Sequence, residues 1–268
     1  MSESSDPQLL RRLVGFDLSL ERDSSEIVEE FDWGLLIHNP EAPDIWSGNY
    51  LQVRSTDLDA ESLAALAEKM QGPLDGIQHR DIVPADPGYA ARLVAGFGAL
   101  EGWDVVRSVY MVLAREPDRE AGSAVEVERA AVASVRRAVA EADPNFTQEA
   151  VEQRFVRDAR LDATGNGRWF AAPPDGAPGA SCVLYGRGGI GQVETVGTLP
   201  DRRGEGLASA VVVAASNASR ERQDDLTFIV ADADDWPWKL YERLGFDRVG
   251  EFCSFLRKPD QLRSEDSP

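Results

Sequence analysis

Lysine is almost missing from this chain: Lys69, Lys239 and Lys258 are the only three in 268 residues. Basic side chains of both kinds number 28 against 47 acidic ones, a formal net charge of -19. A polyanion would meet repulsion across such a surface, and no basic stripe interleaved with aromatics offers local relief, so nucleic acid is excluded as the expected partner. Cysteine is equally scarce. Cys182 and Cys253 lie far apart, each inside an apolar run and neither in a paired zinc spacing, which reads as two buried reduced thiols. With His38 and His79 the only histidines, no metal site is expected. Long apolar runs are also lacking. Nothing approaches a membrane span, and MSESSDPQLL has neither the basic start nor the apolar stretch of a secretory signal, so the expectation is a soluble, cytoplasmic protein without a membrane partner.

What is present suffices for a substantial core: 43% of residues are hydrophobic and 28% charged. The length suggests two domains. Residues 1–120 hold 23 acids and 10 bases, so most of the negative charge falls in the first half. The polar stretch REPDREAGSA, Arg115 to Ala124, follows a strand-like run and reads as the connection, giving an N-terminal domain over 1–118, a linker over 119–124, a second domain over 125–260 and a polar tail over 261–268. In the first domain, Trp33–His38 and Asn49–Arg54 read as strands. Leu63, Leu66 and Met70 mark a helix begun by Asp57 or Asp59, and Ile77–Val83 reads as a strand. Tyr89, Leu93, Phe97 and Leu100 give a second helical face, followed by a strand over Val105–Leu113.

After the linker, Val125–Ala142 has a helical pattern and Thr147 caps a further helix to about Leu161. Strands are expected at Arg168–Ala172, Ser181–Tyr185, Gly191–Leu199 and Leu226–Ala231, with a helix carrying Leu207, Val211, Ala214 and Ala218 between the last two. That strand–helix–strand order is a crossover and predicts a partly parallel sheet. A weak internal repeat aligns Gly102-Trp103-Asp104-Val105, a strand and Pro117 with Gly245-Phe246-Asp247-Arg248-Val249, a strand and Pro259. It raises the possibility of two related folds in tandem.

Chemistry concentrates in VETVGTLPDRRGEGLA, Val193 to Ala208. A strand ends at Pro200 and a glycine-containing turn runs into a helix. Free amides at a helix start point outward together with the positive end of the helix dipole, and Gly204 and Gly206 remove side chains that would block a diphosphate, while Arg202 and Arg203 add charge. The spacing fits neither the phosphate loop ending in Gly-Lys-Ser/Thr nor the three-glycine dinucleotide fingerprint.

Arg203-Gly204-Glu205-Gly206-Leu207-Ala208 resembles the coenzyme A pyrophosphate loop of the GCN5-related N-acetyltransferases (GNAT), Arg/Gln-x-x-Gly-x-Gly/Ala. Downstream, Asp234-Asp235-Trp236-Pro237-Trp238-Lys239-Leu240-Tyr241-Glu242-Arg243-Leu244-Gly245-Phe246 resembles the family's Asn-x-x-Ala-x-x-Leu-Tyr-x-x-Leu-Gly-Phe helix. The resemblance covers about Val125 to Pro259 and is specific in the last third. It implies a mixed α/β fold of two tandem acetyltransferase-like domains, each a mixed central sheet flanked by helices, the first one degenerate. It further implies acetyl-CoA as co-substrate, no metal, and transfer of an acetyl group to a primary amine by direct attack. Val196 and Thr198 would offer backbone groups to the pantetheine arm, and Arg202 through Ala208 would hold the diphosphate.

Tyr241 matches the tyrosine that protonates the departing thiolate. Glu194, placed by alternation on the strand face of Val196 and Thr198, is the candidate base. Asp234 stands where the family has Asn, which puts one cofactor contact in doubt, and Pro237 replaces Ala, tolerable if Asp234 or Asp235 caps the helix. Trp236 and Trp238 could wall the acceptor site, although large apolar residues are more often core. The first domain has no equivalent loop, and Gly98 stands where a tyrosine would be required, so it is expected to support rather than catalyse. The acidity favours a cationic amine acceptor. From a different class, a non-catalytic acyl-CoA-binding sensor or interaction module fits the same residues.

Overall fold

The computed structural model describes residues 6–116, 124–143 and 146–259. The linker expected at 119–124 and the tail at 261–268 lie almost wholly outside the described residues, as does Pro117 of the repeat. The chain forms two compact units. An N-terminal unit takes Asp6–Ser108, Glu152–Arg160 and the described residues from Glu251 onward, and a C-terminal unit takes Val109–Val151 and Leu161–Gly250.

In the N-terminal unit, Asp6 caps α1 (Pro7–Ser24) by accepting from the amides of Gln8 and Leu9. Its Leu13 and Val14 are fully buried. Strand β1 (Ile27–Phe31) turns back antiparallel onto β2 (Gly34–His38), which pairs antiparallel with β3 (Tyr50–Val53). Helix α2 (Ala60–Gln71), capped by Asp59, crosses over to β4 (Arg80–Pro84), which is parallel to β3. Helix α3 (Pro87–Ala99) follows, capped by Asp86. Phe97 on α3 stacks on Phe255 at 4.0 Å and tilts against Trp103 at 5.0 Å. The strands run in the order β1-β2-β3-β4-β11, where β11 is Phe246–Arg257. Both histidines are structural here: His38 Nδ1 meets Asn49 Oδ1 at 3.0 Å and His79 Nε2 meets the Asn49 carbonyl at 2.9 Å, with burial lowering His79 to about 4.

The C-terminal unit contains the end of β5 (Asp104–Leu113) and the start of β11. Strands β6 (Val125–Val127), β7 (Arg168–Ala172), β8 (Ala180–Arg187) and β9 (Ile190–Thr198) form an antiparallel series. Helix α6 (Leu207–Glu221) then crosses over to β10 (Leu226–Asp232), which pairs parallel with β9. The strand order is β11-β5-β10-β9-β8-β7-β6. Helices α4 (Ala133–Glu141), α5 (Gln148–Gly165) and α7 (Pro237–Arg243) complete the unit, with residues 152–160 of α5 belonging to the other one. The core joins Met111, Phe170, Cys182, Leu184, Val193, Val211 and Phe246.

Two readings of the sequence need correction. The helix expected over Val125–Ala142 begins only at Ala133: Val125 and Val127 are β-branched, and their segment pairs with β7 before a 3-10 turn over Arg129–Val132. Helix α5 begins after Thr147 as expected but runs to Gly165, where Asn166 takes the left-handed conformation at φ 52°. The repeat has a physical counterpart, since Gly102 and Gly245 both adopt positive φ and both lead into a buried aromatic residue and a long strand.

Candidate active site

Strands β9 and β10 pair from Ile190–Leu226 to Val193–Ile229, and there the pairing stops. Beyond that point a cavity of about 890 Å³ opens, a size ordinary for a small-molecule site. Val196, Gly197 and Thr198 of β9 line one wall, the turn and first residues of α6 another, and α7 a third.

The end of β9 is irregular. Val183 lies opposite Glu194 but Ser181 lies opposite Gly197, so two residues of β9, Thr195 and Val196, face the single Cys182 of β8, and Thr195 takes φ 52°. This bulge resets the alternation: Glu194 shares a face with Gly197, not with Thr198 as strict alternation required. The Glu194 carboxylate accepts from Gln192 Nε2 and from the Thr195 amide, both at 3.1 Å, and does not line the cavity.

After a 3-10 turn over Pro200–Arg202, Gly204 and Gly206 both adopt left-handed backbone, φ 86° and 81°. Gly206 is the N-cap of α6, and among the described residues no side chain caps that helix. Those donors are left for a ligand. Arg202, Arg203, Gly204, Gly206, Leu207 and Ala208 all line the cavity. Glu205 does not; it clasps Arg202 through hydrogen bonds of 2.8 to 2.9 Å, holding its own carboxyl below the ordinary range through the guanidinium. Both arginines read from the motif as having one role, whereas the structure ties Arg202 to a carboxylate and leaves Arg203 exposed.

Tyr241 is buried in α7 and lines the cavity. Burial first, and the nearby negative charge of Glu194 second, push its phenol far above the ordinary tyrosine range. It therefore holds its proton at any physiological pH. Cys182, buried in the same cluster, is likewise held as a thiol. Asp234 is exposed and outside the lining, its amide donating to Asp232 Oδ1 at 2.8 Å. Neither Asp234 nor Asp235 caps α7: the N-cap is Trp236 without a side-chain acceptor, and Pro237 sits in the first turn where its missing amide costs nothing.

Several lining residues were not singled out by the sequence. Val139 comes from α4, nearly 60 residues upstream, and would lie 3.2 Å from a Cβ added at Gly197. Asp235 lies just before the N-cap of α7 and Arg243 lies in its last turn, and their places around Tyr241 in the sequence were the available signal. Trp236, 57% exposed, belongs to the cavity rim and not to the core, whereas Trp238 packs on the core with Arg248 at 3.8 Å over its ring. Among the described residues no group of three or more His, Cys, Asp and Glu side chains could hold a metal ion, and no helix is long and apolar enough to cross a membrane.

Residues 178–254, which span β8 to β11, match the family model described as FR47-like protein. This segment is GNAT-related. The FR47-like segment contains every cavity-lining residue except Val139. A GCN5-related N-acetyltransferase from Kribbella flavida superposes with a TM-score of 0.64 at 18% identity, over 95% of this chain and 97% of that one. A functionally unknown conserved protein from Staphylococcus epidermidis gives 0.61 at 14% identity, over 88% and 95%. A tandem GNAT protein from the clavulanic acid biosynthesis pathway gives 0.51 at 15% identity, over 77% and 72%. At such identities these likenesses establish a mixed α/β fold resembling a tandem GNAT protein. No curated protein matches the sequence significantly.

Proposed function

We propose that the chain is an acyl-CoA-dependent N-acyltransferase that moves an acetyl group from acetyl-CoA to a primary amine by direct attack. One observation carries this reading: the start of α6, opened by two left-handed glycines, faces a cavity that also contains the end of β9 beyond its pairing with β10 and the buried phenol of Tyr241. A coenzyme A thioester fits this lining, with free amides and Arg203 for a diphosphate and an apolar wall of Val196, Leu207, Leu240 and Leu244 for its arm. The co-substrate supplies an activated acyl group on a thiol of low basicity.

The protein's own share is orientation and proton handling. The backbone of Val196–Thr198, no longer committed to β10, can bind an amide-bearing chain along the strand edge. Tyr241 holds a proton on its Oη, buried enough to deliver it to sulfur and not to bulk water. Glu194 is held by two donors, and its charge favours the protonated form of Tyr241, an electrostatic role. Asp235 on the lining, together with the net charge of -19, favours a cationic acceptor.

Calorimetric titration with acetyl-CoA tests the reading. One saturable site, abolished by Gly206→Trp, is expected; no binding overturns it. Release of free thiol with a panel of primary amines then separates an enzyme from an acyl-CoA-binding sensor, which would bind without turnover.

A further inference from the structure

The cavity lining is not of one charge. Arg203 and the first turn of α6 favour an anion, as the diphosphate reading requires. The connection from β10 to α7 is acidic instead: Asp235 lines the cavity, Asp232 and Asp234 stand exposed just before it, and none of the three has an ion-pair partner among the described residues. Asp235 Oδ1 accepts from the Trp236 amide at 2.7 Å, which holds the carboxylate next to that residue. The Trp236 indole lines the cavity yet is 57% exposed. A held carboxylate next to an open aromatic ring attracts a cation through charge and ring quadrupole alike, and it repels the phosphates of a cofactor.

The cation in question is not the nitrogen that reacts. An amine attacks a thioester as its free base, and a carboxylate at that nitrogen would hold it as the unreactive ammonium. Resting on the acyltransferase reading, we propose that Asp235 and Trp236 bind a second ammonium group of the acceptor, which stays protonated while the first nitrogen reacts, so that the cavity selects diamines and longer polyamines over monoamines. Trp236 precedes Tyr241 by five residues, roughly 7–8 Å along the helix axis and close to the spacing of the two nitrogens in cadaverine. The net charge of -19 is a competing cause of such a preference, since it draws any dication, but it hardly changes with the loss of one carboxylate.

Thiol release from acetyl-CoA by the full chain, with cadaverine and with pentylamine as acceptors, tests this on the native protein, Asp235→Asn, Trp236→Ala and Trp236→Phe, with the acetyl-CoA affinity of each measured by calorimetry. The native protein is expected to favour cadaverine in kcat/KM by about ten-fold. Asp235→Asn and Trp236→Ala should erase most of that preference by raising KM for cadaverine alone, and Trp236→Phe should keep part of it. Acetyl-CoA should bind each variant within about two-fold of the native affinity. Equal use of the two amines by the native protein, a preference that survives Asp235→Asn, or loss of acetyl-CoA binding in the Trp236 variants overturns the assignment. Absence of thiol release with these two amines and with every other primary amine tried is a different result: it overturns the acyltransferase reading and this inference with it.

Discussion

A buried phenol and a buried carboxyl have opposite consequences in this protein. Tyr241 is harmless where it is because its neutral form is the one burial favours, and that form is the one a proton donor needs. Tyr241→Phe should lower the rate of thiol release by about 100-fold or more while leaving the acetyl-CoA affinity within about two-fold, a division that only a role in proton transfer produces. Asp81 on β4 has no such accommodation. Its Oδ1 is buried without a partner, and burial raises the carboxyl from 3.8 to about 8. Between those two values the folded form keeps its proton while the unfolded form has lost it. Stability should therefore fall as pH rises through that window, by up to about 1.4 kcal/mol per pH unit, and level off above it. Glu21, also raised by burial, acts in the same direction. Asp81→Asn should raise the urea midpoint markedly at pH 8 and little at pH 5, and a variant with an unchanged pH slope would show that Asp81 ionises freely.

Among the elements, most strands and helices follow from side-chain pattern alone. Asp59, Asp86 and Thr147 stand where a helix must begin, and each accepts a backbone hydrogen bond there. Pattern fails where pairing decides. Val125–Val127 is too short to show a period of its own, and only the presence of β7 makes it a strand. The bulge in β9 is equally silent in the sequence: Thr195 is a poor choice for positive φ, yet it sits there and turns Glu194 away from the face that alternation assigned. Gly245 is the opposite case, a glycine whose position explains it. At φ 95° an added Cβ would lie 2.7 Å from the Arg115 carbonyl oxygen, so the turn between α7 and β11 tolerates no side chain. Gly245→Ala should cost about 1–3 kcal/mol in chemical denaturation, whereas Gly204→Ala, with open space around its Cβ and only the φ penalty to meet, should cost about 1 kcal/mol.

Over the whole molecule, neither unit is a continuous stretch of chain. The C-terminal unit includes Val109 and Met111, both at 0% exposure in the same buried cluster as Cys182 and Phe246, and the N-terminal unit claims 152–160 of α5 and the second half of β11. Arg157 pairs with Glu21, and Arg160 with Glu26 and Glu41, all within that unit. A fragment of residues 125–268 thus lacks a core strand of one unit, the end of β5, and carries orphaned pieces of the other. It should show no cooperative unfolding transition and no acetyl-CoA binding; a fragment that melts cooperatively and binds like the full chain would mean that these segments are dispensable. The sequence by itself determined the alternation of strands and helices, the crossover through α6 and the glycine turn that leaves its amides bare, because each depends on neighbours within a few positions. Tertiary structure alone decided which arginine is spent on Glu205, that Val139 reaches the cavity, that Glu194 turns aside, and where one unit ends and the other begins. The arginine pairing depends on the local backbone path through the glycine turn, and the other outcomes depend on strand register and on contacts between residues tens of positions apart, which no residue pattern records.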